Sequence, residues 1–584
     1  MSWRMAAGGL LILSLGLCAI WGLRPTPESS GHGDSGDPVE QAAQSAVLDD
    51  EKQKSIWTAE HITFEIETHF GKPFAAALRD RDMEAPAVFF RDDCRTSLLS
   101  GEDFEIKTVG VVSEQRRVRK AASADTHGVV ELLETLGDSF NEFGKVADIR
   151  LRVLRIETDA PRRWRTSLLL TARGTDHEGA PIEHRSEHDV EFDLPDDEKI
   201  LMQDIVLNWS VQSETVRRSS QSLMEEATAA YGLDQLGLPD NWQVPPSQVN
   251  TYGFQVAVED FNRDGYLDIA IATAENRPIL LRSQEGKRFT DVASQLGLLR
   301  WDTLSTLVAW IDYDNDGFPD LLMGDRLYRN VDGERFEDVS VRAGIELAYA
   351  PMGCIVADYD CDGKLDLYIL YQYDGRNITG NVSWVGDKDA GFMNHLWRNE
   401  GNGRFRNTTF DAQAGGGDRF TFAASWLFLD DDPFPDLYVA NDFGSNVLLR
   451  NTGQGSFVDV TERFAVGDFA TSMGVACGDF NNDGNAEIYV ANMYSKMGRR
   501  IIGQVGPADY PGNIYEQIKG ACAGNRLYSR DPGSSQFREI AEQVGVNEVG
   551  WAFAPAFVDV DNDGWLDLYA TTGFLSFDRR KPDG

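Results

Sequence analysis

The sequence predicts a mainly β chain: a β-propeller of six or seven four-stranded blades, preceded by a small α+β domain and an N-terminal membrane anchor. Three observations predict it. An acidic phrase recurs six times, beginning at Asp260, Asp312, Asp358, Asp430, Asp479 and Asp559. A second phrase, of the type L-Y-R-N followed by F-x-D-V, falls between the copies, as at Leu280, Leu327, Leu396, Leu448 and Leu527. The chain is also acidic, with 94 Asp and Glu against 55 Lys and Arg and a formal charge of −39, which argues against a nucleic-acid partner and for bound cations.

At 584 residues the chain exceeds one ordinary core, so two or more domains are expected. The first element is Met5 to Leu23, nineteen residues without a charge. As a helix rising 1.5 Å per residue it would cover roughly the ~30 Å hydrocarbon core. No small-x-small site follows closely, and Cys18 follows a leucine, which disfavours a lipoprotein. An uncleaved signal anchor or a cleaved signal peptide over 1–24 both place the acidic remainder outside the cytoplasm.

Residues 25–52 are rich in Pro, Gly, Ser and Asp and read as a disordered linker. From 53 to 212 the pattern is α+β. Helical spacing of Ile62, Phe70, Phe74 and Leu78 runs into FAAALRDRDMEAPAVFF, and long strands follow around Ile149–Val153, Leu168–Leu170, Val190–Leu194 and Ile200–Leu207. Helices first and long strands after resemble the NTF2-like or SnoaL-like cone.

From 226 to 584 the repeats take over, at spacings of 52, 46, 72, 49 and 80 residues. Some fifty residues holding four short strands make one blade, and a ring of blades hides sheet edges. The two wide spacings imply insertions near 372–394 and 494–524, expected to be partner surfaces. The sixth acidic phrase is followed only by TGFLSFDRRKPDG, so the last blade lacks strands. EEATAAYGLDQLGLPD from Glu225 resembles the tail of the second phrase, so the N-terminal side is expected to complete that blade; a truncated gene model is the other explanation.

In D-x-[DN]-x-[DN]-G-x-x-D, side chains at positions 1, 3, 5 and 9 and the carbonyl at 7 converge on one point, while glycine at 6 permits the turn. Hard oxygen ligands in this number suit Ca²⁺, and apolar strand residues following at once make the flanks a hairpin rather than EF-hand helices. These loops resemble the FG-GAP (VCBS-type) repeats of integrin-α-like propellers over about 330 residues. The L-Y-R-N and F-x-D-V-T phrases and NMYSKMGRR from Asn492 are similar to bacterial relatives of the ASPIC/UnbV and cartilage acidic protein family, whose C-terminal extension is not seen here.

The resemblance implies one calcium ion per intact loop, about five in all. Its ligands would be Asp260, Asn262, Asp264 and Asp268; Asp312, Asp314, Asp316 and Asp320; Asp358, Asp360, Asp362 and Asp366; and Asp559, Asp561, Asp563 and Asp567. Carbonyl oxygens of Tyr266, Phe318, Lys364 and Trp565 would join them. The fifth loop offers Asp479, Asn481, Asp483 and the carbonyl of Asn485, with Glu487 one methylene longer at position 9. The fourth keeps Asp430, Asp432 and Asp436 but has lost two residues and the glycine, and is expected to hold no ion. The family implies extracellular binding or adhesion without a dependable enzyme assignment.

No catalytic residue is predicted. His395 is the one histidine from 240 onward and reads as structural. In the first domain His184 and His188 share a strand face and are read as solvent-facing, with a shared metal as the alternative; Arg116, Arg117, Arg119 and Lys120 read as a solvated loop. The six cysteines, at 18, 94, 354, 361, 477 and 522, form no C-x-x-C pair, and Cys361 reads as a free buried thiol; Asn377, Asn381 and Asn407 open glycosylation sequons. The functional expectation is a membrane-tethered, monomeric binding, adhesion or scaffolding module for a protein or carbohydrate partner. The alternative is an envelope enzyme with its site in the 53–212 domain and the propeller as support.

Overall fold

The computed structural model describes residues 48–99, 104–119, 127–194, 203–222, 224–237, 254–273, 275–301, 303, 305–347, 351–372, 392–494, 496–510, 514–531, 534 and 536–573. The predicted membrane segment, most of the linker, the 373–391 part of the first insertion and the sequons Asn377 and Asn381 lie outside them. Among the described residues no helix is long and apolar enough to cross a membrane.

The chain divides into two compact units: Leu48–Glu225 with Lys496–Asp509, and Glu226–Ser495 with Tyr510–Gly584. The first unit begins earlier than 53. Asp49 accepts the Lys52 amide at 2.8 Å, which caps α1 (Asp50–Glu65). One π turn leads into α2 (Lys72–Asp80), which stops at Arg81 in a left-handed conformation, φ 59°. FAAALRDRDMEAPAVFF is therefore helical only to Asp80; its Pro86 lies in a 3-10 turn before β1 (Phe90–Ser97). The remaining elements are β2 (Glu105–Val109), β3 (Val112–Val118), α3 (Val129–Asp138), β4 (Phe143–Ala160), β5 (Arg163–Asp176), β6 (Pro181–Asp193) and β7 (Val206–Ser219). The sheet order is β2-β3-β7-β6-β5-β4, with β1 parallel to β7. Its covered face packs Phe70, Phe74, Phe192 and Trp209, the Phe74 and Trp209 rings stacking at 5.3 Å. Part of the second insertion belongs to this unit. Arg500 pairs with Glu60 at 2.7 Å and donates to the Val153 carbonyl at 2.9 Å.

The second unit is a succession of antiparallel sheets. Sheet 1 runs Phe254–Glu259, Asp268–Thr273, Pro278–Ser283 and Phe289–Asp291; sheet 2 runs Val308–Ile311, Asp320–Met323, Arg326–Val331 and Arg335–Asp338. Sheet 3 runs Pro351–Ala357, Asp366–Tyr371, His395–Gly401 and Arg404–Asn407; sheet 4 runs Phe420–Leu427, Asp436–Ser445, Val447–Asn451 and Phe457–Asp459. Sheet 5 runs Phe469–Gly478, Glu487–Asn492, Arg526–Ser529 and Arg538–Glu539; its first strand also pairs, from Phe469 to Thr471, with the end of sheet 4's second strand, joining the two into one eight-stranded sheet, and a hairpin of Ala552–Val558 and Asp567–Thr572 follows. The acidic phrase joins strands 1 and 2 each time, and in sheets 1 to 5 the second phrase supplies strands 3 and 4.

First strands of successive sheets lie against one another, and the apolar residues of strands 2 and 3 fill the space between sheets. Leu322 and Leu327 of sheet 2 share one cluster with Leu367 and Ile369 of sheet 3, for example. Main-chain bonds stitch the fourth strands of sheets 2 and 5 to the turn ending the sheet before: the Phe336 amide donates to the Leu296 carbonyl at 2.7 Å, and Phe537 to Phe464 at 3.0 Å. Sheet 1 has the same bond, from Phe289 to Tyr231 at 3.3 Å. The segment from Glu226 thus occupies, against sheet 1, the place that a preceding repeat fills elsewhere.

Candidate metal-binding loops

Each acidic loop is folded by its own carboxylates. In loop 2, both oxygens of Asp312 accept backbone amides, Asp316 at 3.1 Å and Gly317 at 3.0 Å, and Asp316 accepts the Phe318 amide at 3.0 Å. Asp260, Asp358, Asp479 and Asp559 take the same two amides in their loops. Position 4 is left-handed throughout, at Arg263, Asn315, Cys361, Asn482 and Asn562, and glycine follows two residues later with φ between 81° and 89°.

Position 9 begins strand 2 and is sunk into the sheet in loops 1 to 5, whereas Asp567 of loop 6 is exposed. Asp320 accepts the Tyr313 amide at 3.1 Å and the Asn330 amide at 2.7 Å; Asp366 and Asp436 repeat the pattern. Glu487 manages it with a longer arm, accepting from Phe480, Asn481 and Ser529. Burial first, then the carboxylates nearby, pushes these groups up: Asp320 to about 8, Asp366 and Glu487 to about 7, Asp268 and Asp436 to about 6.

Three loops bring carboxylate oxygens within 4.8 Å of one another: Asp312, Asp314 and Asp316; Asp358, Asp360 and Asp366; Asp559, Asp561 and Asp563. Loops 1 and 5 place Asn262 and Asn481 at position 3 instead, a neutral oxygen at the same point. Several inward oxygens have no hydrogen-bond partner among the described residues: Asp314 Oδ1, Asp360 Oδ1, Asp561 Oδ1, and Oδ2 of the fully buried Asp268. Buried carboxylate oxygens left without a donor, facing other carboxylates, are chemically suited to a hard divalent cation. Loop 4 has not lost two residues as expected: Leu427 pairs with Asp436 as Ile311 pairs with Asp320, so Phe428 stands at position 1, Pro433 replaces the glycine, and Asp430 and Asp432 occupy positions 3 and 5, bonded to Arg450 at 2.7 and 3.4 Å.

Sequence reading missed two residue types in the L-Y-R-N phrase. The arginine reaches back to the loop: Arg329 donates to Asp314 at 2.6 Å and Asp316 at 2.8 Å, and Arg398 to Asp360 at 2.5 Å and Asp362 at 2.8 Å. The asparagine ties neighbouring sheets: Asn399 donates to the Tyr313 carbonyl of the preceding loop at 2.8 Å and to Leu365 at 3.2 Å. Asn330 and Asn451 do the same to Phe261 and Tyr359. Their recurrence, the arginine in four of the five copies of the phrase and the asparagine in three, was the available signal.

At the opposite ends of the sheets, Asp442 is fully enclosed, its Oδ1 has no partner among the described residues, and burial pushes it up to about 8. Cys361 is exposed rather than buried, because the left-handed position 4 points out of the loop; it and the other described cysteines are free. His395 packs between Tyr371 and Phe392.

The first unit corrects two expectations. His184 and His188 face the core, since on β6 every second residue from Glu183 to Glu191 is charged and faces out. Their ring nitrogens have separate partners: His184 bonds Glu214 at 2.9 Å, while His188 bonds Ser186 at 2.8 Å and receives the Trp209 indole N–H at 3.1 Å. Burial lowers His188 to about 3. The basic run is no solvated loop either. Arg117, on β3, is paired with Glu214, and Arg119 donates to the carbonyls of Val211, Ser97 and Leu98. Burial alone would raise Glu214; His184, Arg117 and Ser139 outweigh it and hold it at about 2. Glu214, Arg117, Ser139 and Ser186 line a small cavity, of about 20 Å³, enough for one water.

Four-stranded meanders in series, each with an acidic loop between its first two strands, define a mainly β repeat protein. The chain carries FG-GAP-like repeats, matched at residues 260–323 and 429–490. It is similar to Cartilage acidic protein 1: 26% identical to the Homo sapiens protein over 58% of this chain and 58% of that one, 25% to the Mus musculus protein over 58% and 59%, and 24% to the Xenopus tropicalis protein over 44% and 42%. The chain thus spans less than two thirds of these relatives' length. A crystal structure of BBS1N in complex with ARL6DN, soaked with lead, covers 58% of this chain at 11% identity with a TM-score of 0.25, too slight a likeness to bear on the fold.

Proposed function

We propose that the protein is an exported, membrane-tethered, calcium-loaded propeller of six or seven blades that binds a protein or carbohydrate partner, as a monomer and without catalysis of its own. The observation that carries the reading is the recurrence of one loop geometry, with inward carboxylate oxygens lacking donors, in sheet after sheet. The ligands are those at positions 1, 3, 5 and 9 with the carbonyl at 7, in loops 1, 2, 3, 5 and 6. A bound cation supplies charge balance there, bringing raised carboxyls back to their ionised form and bracing the face from which partners are met. About five ions would move the formal charge from −39 to about −29. The relatives' name describes an acidic protein of cartilage, which suits a module working outside cells.

The test is metal analysis and a thermal melt of the purified chain, in calcium and then in chelator. Four to six bound calcium ions and a clear chelator-induced drop support the reading; no calcium and an unshifted melt refute it. An enzyme reading would have to work from the Glu214 cavity, where the carboxylate is already engaged by Arg117, His184 and Ser139.

A further inference from the structure

Position 4 of an acidic loop points outward, and in two loops it grips the next loop. Asn315 Nδ2, in loop 2, donates to the Gly363 carbonyl of loop 3 at 2.9 Å, and Asn482 Nδ2, in loop 5, donates to the Gly564 carbonyl of loop 6 at 3.1 Å. The gripped peptide is held at its other edge by the loop's own position-5 carboxylate: the Lys364 amide donates to Asp362 at 3.1 Å and the Trp565 amide to Asp563 at 2.9 Å. Lys364 and Trp565 are also the position-7 residues, whose carbonyls are read as ligands. Each asparagine in turn stands between positions 3 and 5 of its own loop, Asp314 and Asp316 or Asn481 and Asp483. Fixing one loop therefore fixes the asparagine, and through it the setting of positions 5 and 7 next door.

The other junctions are built differently. Arg263, at position 4 of loop 1, lies over the Phe318 ring of loop 2, 5.4 Å from its centre. Cys361 of loop 3 offers a weak thiol donor to the Pro433 carbonyl at 3.3 Å, in a loop read as holding no ion. Position 4 of loop 4 is Asp431, whose carboxylate has no N–H to give.

We propose that the cation loops work as two linked pairs, loop 2 with loop 3 and loop 5 with loop 6, and that Asn315 and Asn482 are the positioning residues that make each pair fill cooperatively. This rests on the reading of the intact loops as cation sites. The ordering of the shared peptide, once made by the first ion, need not be made again for the second, and by linkage the effect is the same in either direction. Both bonds are exposed, so the coupling is expected at the low end of the usual range, about fivefold in affinity. Asn315 and Asn482 are left-handed, at φ 56° and 54°, so glycine is the replacement that removes the amide and keeps the backbone.

The test is a pair of mutant cycles on the full chain, read by calcium titration calorimetry and by ions bound at saturation. The first combines Asp314→Ala, which empties loop 2, with Asn315→Gly; the second combines Asp561→Ala, which empties loop 6, with Asn482→Gly. Each alanine variant is expected to lose one ion and to bind another about fivefold more weakly. Each glycine variant is expected to keep every ion at saturation but to bind with a shallower titration. In the double variants the ion is lost with no further weakening beyond that of the glycine change. Alanine variants that leave the remaining affinities unchanged overturn the proposal. So does a weakening of the same size with and without the asparagine, which would route the coupling elsewhere. Wild-type protein that takes up no calcium would instead remove the underlying reading, and this one with it.

Discussion

Replacing Asn399 by alanine should unfold the repeat unit far more readily than its single side-chain change suggests. Asn399 is fully buried and makes three side-chain bonds: it donates to the carbonyls of Tyr313 and Leu365 and accepts the Gly401 amide at 3.0 Å. Alanine leaves two carbonyls and one amide without partners in a closed space. Each buried group so stranded costs about 1–3 kcal/mol, so the expected loss is about 3–5 kcal/mol after partial relief by water. Asn399→Asp should be at least as damaging, because it sets a carboxylate against two carbonyl oxygens. The assay is urea unfolding at saturating calcium, followed by tryptophan fluorescence. Since Tyr313 directly follows Asp312 in the preceding loop, calcium affinity there should fall as well. A stability within about 1 kcal/mol of wild type, with calcium affinity unchanged, would refute the view that this asparagine staples one sheet to the next.

Other outcomes follow from the same geometry. Asp442 is held up at about 8 against an ordinary 3.8, so the folded state favours its protonated form; its stability is intact below the unfolded value and is lost as pH rises toward 8. Between pH 5 and 8, wild type should lose about 1.4 kcal/mol per pH unit relative to Asp442→Asn, in unfolding titrations at each pH. Glu214 is shifted the other way, to about 2, so its contribution is present above its ordinary 4.5 and is lost as pH falls toward 2. Glu214→Gln should cost about 3 kcal/mol at pH 7, because Arg117 loses its counter-charge in a closed site, and should flatten the acid limb of the unfolding curve. Asp561→Ala should remove one calcium from the saturated protein by metal analysis, whereas Asp432→Ala should remove none.

The acidic loops were legible because their geometry is local. Positions 1, 3, 5, 6 and 9 lie within nine residues, and Asp312 folds its loop through amides four and five residues away. The L-Y-R-N arginine was not legible as a loop residue because it acts across a variable gap, 15 residues from Arg329 to Asp314 but 38 from Arg398 to Asp360. The inward face of β6 could have been found: a charge at every odd position from 183 to 191 leaves His184, Ser186 and His188 on the other side. It was missed because histidine was judged by type instead of by the phase of its strand. The end of α2 was obscured by Ala and Leu, which continue a helical pattern until Arg81 turns left-handed.

The bond from Phe289 to Tyr231 also has a mechanical side. Leu233 and Leu236, just beyond it, pack against Ile271, Ile279 and Leu281 of sheet 1. Any pull arriving along the chain from residue 225 enters the repeat unit at this clasp before it reaches a loop or a strand ladder. One main-chain bond, the bond from Arg288 to Gln235 and two leucines would be loaded first, ahead of the acidic loops. The clasp is in that sense a fuse: it takes up the load before the sheets beyond it and whatever they hold.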